Sequence, residues 1–194
     1  MKTDEILKNS LISWLDPAKI DNCEPYQLDI ILVEHGEWLD SSEKIRESVY
    51  REILMARLDN NDELDVKSMQ YLNLVAYLLH IYTKKVQRIH DEYLSIVFSN
   101  HAYNELKYYK YTEEIELKLS KLKDMYHLDS SLTTDIMKDI GSEITNRLID
   151  KYLNNKSNGI EIIYNFVESF PYEINNETYP RYKQLINESN HICD

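Results

Sequence analysis

Apolar residues recur every four positions between Leu132 and Asn154, and this spacing constrains the fold more than any other feature of the chain. A helix has about 3.6 residues per turn, so residues at this spacing share one face. The segment therefore predicts a long amphipathic helix with one buried stripe. The stripe consists of Ile136, Ile140, Ile144, Leu148 and Tyr152.

Residues that favour turns are scarce throughout the chain. Its 194 residues include only three glycines and four prolines, whereas strand-rich folds need many more turn positions. Helical spacing also dominates outside the segment described above. We therefore predict an all-α protein, a single domain over residues 1–194, built as an irregular bundle of about seven to nine helices.

Local signals place several helix boundaries. Pro25 predicts the start of a helix over residues 26–39 that buries Leu28, Ile31 and Leu32, with Trp38 as a further candidate. Residues 30–33 also fit a strand, but no partner strands are evident. Capping signals at residues 40–43 and 128–131 predict the starts of two further helices.

The middle of the chain predicts an unusually long helix. Helical spacing runs from residue 66 to about residue 98, which predicts one long, bent helix with a break near residues 83–85 as the alternative. Residues 99–103 then predict a connector, and residues 104–126 a further helix. Its buried stripe is predicted to contain Ile115, Leu119, Leu122 and Tyr126.

Negative charge is concentrated in residues 20–43, which we call the acidic segment. It lies between Lys19 and Lys44, contains no lysine or arginine, and holds more than half of a net charge of −12. A second base-free run lies between Lys156 and Arg181 and contains Glu161, Glu168, Glu173 and Glu177. The carboxylates of the acidic segment are Asp21, Glu24, Asp29, Glu34, Glu37, Asp40 and Glu43.

These seven carboxylates are the predicted partner-binding residues. A dense anionic segment repels phosphate backbones and anionic membranes and attracts basic surfaces, so we predict neither direct nucleic-acid binding nor membrane binding. The predicted partner is a basic protein, most concretely a nuclease or other nucleic-acid-acting toxin. In size, acidity and helical content the chain resembles some bacterial toxin-immunity proteins and phage-encoded inhibitors, although no motif assigns it to a family.

Two other binding functions and a structural interpretation compete with this prediction. One alternative is a helical scaffold or regulatory subunit that binds a partner through an apolar groove. The other is a phage-type inhibitor that mimics nucleic acid. The acidic segment is also explained as a solvated face that improves solubility. Tyrosines interleave with lysines at residues 107–111, as in single-strand binders, but the overall charge opposes that function.

We predict no enzyme activity, no catalytic residue, no cofactor and no metal site. The candidates for an enzyme or small-ligand alternative are Glu34, His35 and Glu37, a cluster that also fits an exposed helix end. His80 and His90 lie ten residues apart, too far to share an ion on one helix. A line of carboxylates that starts at Asp135 fits a solvated face, and the Glu-x-x-His pattern at residues 188–191 fits a chance match.

The compartment predicted from the sequence is the cytoplasm. The first residues lack the basic start and apolar run of a signal peptide, and no apolar stretch is long enough to span a bilayer. Cys23 and Cys193 are predicted to be free thiols in a reducing environment, with a disulfide between them as the alternative.

Overall fold

The prediction of an all-α fold is confirmed. The computed structural model describes residues 2–60, 64–155 and 159–190, and within these ranges it contains nine α-helices, one short 3₁₀ helix over Ile20–Asn22 and no strand. In the same ranges, no helix combines the length and apolar character needed to cross a membrane. The α-helices are α1 (Lys2–Trp14), α2 (Tyr26–Glu34), α3 (Glu43–Asn60), α4 (Val66–Leu78), α5 (Thr83–Leu106), α6 (Glu113–Met125), α7 (Ser130–Asn155), α8 (Ile160–Ser169) and α9 (Thr178–Asn190).

The chain divides into two compact units, and the boundary between them falls inside α5. Unit 1 covers Met1–His90 and unit 2 covers Asp91–Asp194. In unit 1, α1 packs against α2 and α3, and α3 packs against α4. Removing apolar side chains from water is the main force that holds such a core. The core of unit 1 includes Leu7, Leu11, Leu15, Leu28, Leu32, Val49, Leu54 and Leu72.

Unit 2 is organised around the long helix that the four-residue spacing predicts. Helix α7 packs against α8 and α9 and buries Ile140, Ile144 and Leu148. The Asp129 carboxylate caps it, accepting hydrogen bonds from the backbone N–H of Ser131 at 2.8 Å and Leu132 at 3.2 Å. A hydrogen bond from the Ser131 hydroxyl, together with these two backbone bonds, holds the pKa of Asp129 below its ordinary value, and the cap confirms the predicted start of this helix.

The prediction of one long, bent helix over residues 66–98 is wrong. Helix α4 ends at Leu78 and α5 begins at Thr83, so the chain breaks just before the alternative break point at residues 83–85. The predicted connector at residues 99–103 lies inside α5, which continues to Leu106. Helix α6 therefore starts at Glu113, where the Thr112 hydroxyl accepts a hydrogen bond from the Ile115 amide at 3.3 Å.

Three helices end in the same backbone turn, and two of these turns use histidine instead of glycine. Gly36, His80 and His127 follow α2, α4 and α6, with φ angles of 73°, 50° and 53°. After α4, the His80 amide donates to Tyr77 O and the Ile81 amide to Ala76 O, both at 3.0 Å. This is the Schellman motif, and its left-handed residue costs energy unless it is glycine.

The same turn predicts opposite effects for two substitutions in unit 1. His80→Gly removes left-handed strain and is expected to raise the free energy of unfolding by about 0.5–1 kcal/mol, while Gly36→Ala is expected to lower it by about 1 kcal/mol. Urea unfolding followed by tryptophan fluorescence measures this, since both tryptophans, Trp14 and Trp38, lie in unit 1. Asn73→Gly, inside α4, is the control and should lower the free energy of unfolding. A lower free energy of unfolding in His80→Gly would contradict the assignment of left-handed strain to His80.

A second substitution tests the packing of unit 2. Gly141 lies in α7 directly beneath the Phe170 ring, and a Cβ added there would overlap three carbon atoms of that ring. Gly141→Ala is therefore expected to lower the free energy of unfolding by about 1–3 kcal/mol, although alanine normally stabilises a helix relative to glycine. Thermal melting by circular dichroism measures this loss, and Phe170→Leu in the Gly141→Ala background should recover part of it. A Gly141→Ala variant as stable as the natural protein would refute the contact.

Candidate functional site

The acidic segment reaches solvent along its whole length. Glu37 and Glu43 are partly exposed, and the other five predicted carboxylates are exposed. The segment contains the 3₁₀ helix, all of α2 and the loop that leads to α3. Most of its negative charge is therefore available at the surface of unit 1. The five exposed carboxylates are Asp21, Glu24, Asp29, Glu34 and Asp40.

Helix α2 is shorter than the sequence predicts. It ends at Glu34 and not at residue 39, because Gly36 adopts a left-handed conformation and the Glu37 amide donates to Leu32 O at 2.8 Å. Leu28 and Leu32 are buried as predicted, and Ile31 is partly exposed. The strand alternative for residues 30–33 is wrong, since these residues are helical.

Trp38 lies on the surface, so its predicted burial is wrong. Its side chain is 72% exposed, yet its backbone is held on both sides. The Trp38 amide donates to the Ser41 hydroxyl at 3.1 Å, and Trp38 O accepts from the Ser42 amide at 3.0 Å. The expected capping box at residues 40–43 does not form in that register, because α3 begins only at Glu43. An exposed tryptophan on an ordered turn is thus part of the acidic segment.

The front of the acidic segment is tied to the end of α1. The Trp14 indole N–H donates to the Gln27 side-chain oxygen at 3.1 Å, and the Glu24 amide donates to the same oxygen at 2.8 Å. The Cys23 thiol contacts Trp14 O at 3.1 Å, and burial raises the pKa of this thiol. Cys193, the other half of the alternative disulfide, lies outside the described residues.

The rear of the acidic segment is held by one buried arginine, Arg46 of α3. Its side chain is only 4% exposed, and its guanidinium donates to Leu39 O at 2.8 Å, to His80 O at 3.0 Å and to Leu79 O. Its Nε donates to the Ser42 hydroxyl at 3.2 Å. The planar guanidinium suits this task because its donors point in fixed directions. Arg46 therefore fixes the loop before α3 to the C-terminus of α4.

One of the seven carboxylates is neutralised inside the molecule. The Lys85 ammonium lies 2.6 Å from a Glu43 carboxylate oxygen and 2.7 Å from one of Glu47. Its hydrogen bond holds the pKa of Glu43 below the ordinary value, and the two carboxylates raise the pKa of Lys85. Across the part of the chain that the structure describes, the other six carboxylates form no ion pair within 4 Å.

A cleft of about 520 Å³ opens beside this end of the acidic segment. Its lining includes the charged residues Arg46, Asp40 and Glu43 and the aromatic residues Tyr77 and Tyr82. The two tyrosine rings are 66% and 73% exposed. The cleft therefore combines aromatic surface with carboxylates, groups that favour a cationic or aromatic side chain. The residues that line it are Pro25, Leu39, Asp40, Glu43, Arg46, Tyr77, His80, Ile81, Tyr82 and Thr83.

Helix α2 also presents an exposed apolar row. Tyr26, Ile30 and Val33 are 62%, 51% and 59% exposed and follow the i, i+4, i+7 spacing of a single helix face. At about 100° per residue, Asp29 lies about 40° from Val33 on one side of this row, and Glu34 lies about 40° from Ile30 on the other. Carboxylates therefore flank the apolar row on both sides.

The histidine–carboxylate cluster at residues 34–37 forms the C-terminal end of α2. His35 is the capping residue of that helix, and its Nε2 lies 3.1 Å from the Ser10 hydroxyl oxygen. Among the described side chains, no three histidine, cysteine, aspartate or glutamate groups come close enough to hold a metal ion. His191, the second half of the Glu-x-x-His pattern, lies outside the described residues.

The other candidate patterns lie in unit 2. Along α7, Glu143 and Arg147 form an exposed ion pair at 2.7 Å, as a solvated helix face requires. Of the tyrosines at residues 107–111, Tyr108 is 78% exposed and Tyr111 is buried. Tyr111 packs edge-on against Phe170, with 5.7 Å between the ring centroids. These tyrosines therefore do not form a continuous platform for stacked bases.

No protein-family model, no curated protein and no solved structure matches this chain.

Replacement of Arg46 tests whether this residue fixes the acidic segment. Arg46→Met leaves one buried and two part-buried carbonyls without this donor. Each unsatisfied buried group costs about 1–3 kcal/mol, so we expect the free energy of unfolding to fall by about 3 kcal/mol. Arg46→Lys keeps the charge but not the planar donor geometry, and it should lower the free energy of unfolding by about 2 kcal/mol. Urea unfolding followed by tryptophan fluorescence measures both. Lys44→Met, which removes an exposed charge from the same helix, is the control, and equal midpoints for all variants would refute the proposed role.

Proposed function

We propose that the protein is an acidic binding protein that neutralises a basic protein partner, most concretely as an immunity-type inhibitor of a nuclease or another nucleic-acid-acting toxin. One observation carries this proposal: six surface carboxylates of the acidic segment have no internal ion pair among the described residues. In this proposal, the protein acts in the cytoplasm and uses neither catalysis nor a cofactor.

The unpaired charge gives the proposed complex its attraction. Like charges that lie close together repel, so folding alone gives no reason to keep six carboxylates in 20 residues when, among the described residues, none of the six has an ion pair. A basic partner converts that repulsion into attraction and speeds the encounter. Among basic surfaces, a nucleic-acid-binding cleft is the most specific match to this segment, because the spaced carboxylates can occupy the positions of phosphates.

The rigidity of the acidic segment supports a binding role. Gln27 and Arg46 hold its two ends through side-chain hydrogen bonds, and the Schellman turn at Gly36 fixes the end of α2. A pre-ordered surface loses less conformational entropy when it binds than a flexible one. The exposed Trp38, Tyr77 and Tyr82 add the side-chain types that dominate binding energy at protein interfaces.

A second candidate function rests on the exposed apolar row of α2. In this alternative, the protein is a helical scaffold or regulatory subunit whose partner covers Tyr26, Ile30 and Val33 through hydrophobic contact alone. The two candidates respond differently to salt. Raising the ionic strength weakens an electrostatic complex but leaves a hydrophobic one intact.

A charge-reversed variant tests the leading proposal. Protein immobilised at low salt should capture a basic protein from native-cell extract and release it at high salt. Replacing Asp29, Glu34, Glu37 and Asp40 together by lysine should lower the affinity of that purified partner by more than about tenfold, chiefly through slower association. Isothermal titration and stopped-flow binding give the affinity and the association rate.

The control for this test has the same net charge. Glu116, Asp124, Asp135 and Asp139 are exposed carboxylates of unit 2, and their replacement by lysine also moves the net charge from −12 to −4. We expect this variant to keep most of the affinity. Equal weakening by both variants would mean that only net charge matters, and unchanged binding by the first variant would reject the acidic segment as the docking surface.

A further inference from the structure

We infer that α2 is the docking element of the acidic segment and that its occupant is a basic amphipathic helix of the partner. This inference rests on the proposed function and names the chemistry of the partner's surface. It starts from the exposed apolar row of Tyr26, Ile30 and Val33, flanked by Asp29 and Glu34.

Burial in unit 1 does not explain the apolar row. Helix α2 has nine residues and attaches to the core through Leu28 and Leu32, which lie on the opposite side from the row. Single exposed apolar residues are common, but three in one row on so short a helix form a continuous apolar surface. The row spans about 10 Å, or two helical turns, which matches the contact length of two crossing helices.

The charge pattern selects the occupant. Carboxylates on both sides of an apolar row complement a helix whose own apolar row is flanked by lysines or arginines. A second copy of this chain is disfavoured, because its carboxylates would face those of the first copy. A strand is also a poor match, since the α2 backbone is hydrogen-bonded within the helix and offers no sheet edge.

In this inference, Trp38 extends the docking surface beyond the C-terminus of α2. Its 72% exposed ring is placed by a fixed backbone, and it lies in the chain between Glu37 and Asp40. Tryptophan is the residue type most enriched at binding hot spots and binds cations best among the aromatic rings. A lysine or arginine at the end of the partner helix thus has both an aromatic face and carboxylates to contact.

Two synthetic peptides of identical composition test this inference. One 18-residue peptide places leucines on one helical face with lysines and arginines on both flanks, and the other scrambles the same residues. Each is titrated into the full chain, and binding is followed by the fluorescence of Trp38 and by amide chemical shifts. We expect the patterned peptide to bind at least about tenfold tighter than the scrambled one, with shifts at α2 and Trp38, because only its leucines form a continuous row.

Matched variants locate the contact. Ile30→Ser and Val33→Ser remove apolar surface without changing charge, and each should lower the affinity for the patterned peptide by about tenfold or more. Val66→Ser is the control, since Val66 is 61% exposed and lies on α4 outside the acidic segment. Trp38→Phe should abolish the fluorescence change, and thermal melting confirms that each variant is folded.

The outcomes separate this inference from the proposed function. Equal binding of both peptides, or unchanged binding by Val33→Ser, overturns the role of α2 and leaves charge attraction in place. Sedimentation that shows a dimer of the natural chain, lost in Val33→Ser, also overturns it, because the occupant is then a second copy. If neither basic peptide binds at low salt, both the inference and the proposed function fail.

Discussion

The hydrogen bonds of the Arg46 guanidinium are the interaction on which the acidic segment depends. This side chain satisfies carbonyl groups at Leu39, Leu79 and His80, which come from the loop before α3 and from the end of α4. The last carbonyls of a helix carry partial negative charge, so a buried cation is favourable there. Without it, these buried or part-buried carbonyls would lose a donor, and the loop that carries Trp38 and Asp40 would lose its link to α4.

The basic residues near this segment contact only part of it. Arg46 donates its hydrogen bonds to backbone carbonyls, and Lys85 pairs with Glu43 and Glu47, so neither forms an ion pair with the carboxylates earlier in the chain. Among the described residues of the segment, Glu43 at the start of α3 is therefore paired with a lysine, and the six carboxylates before it in the chain are not. An internal ion pair weakens the attraction of a carboxylate for other cations, so the proposed attraction of a basic partner depends on the carboxylates that have no ion pair.

Sequence reasoning succeeded where one strong local signal acts alone. The spacing of Ile140, Ile144 and Leu148 predicted α7, and Asp129 predicted its cap, because neither depends on distant residues. It failed at the end of α4, since the left-handed position there is His80 and the expected signal is glycine. Arg46 was missed for a different reason: one basic residue in a helix resembles a surface charge until the fold places carbonyl groups around it.

The predicted burial of Trp38 failed in a way that bears on function. The pattern treated residues 26–39 as one amphipathic helix, but the turn at Gly36 ends α2 and redirects the chain, so Trp38 leaves the buried face. The turn also lets Tyr26, Ile30 and Val33 stay exposed, since a nine-residue helix needs only Leu28 and Leu32 to attach it. In the proposed complex, carboxylates govern how fast the partner associates, and apolar contact governs how slowly it dissociates. The acidic segment supplies both kinds of group on one helix.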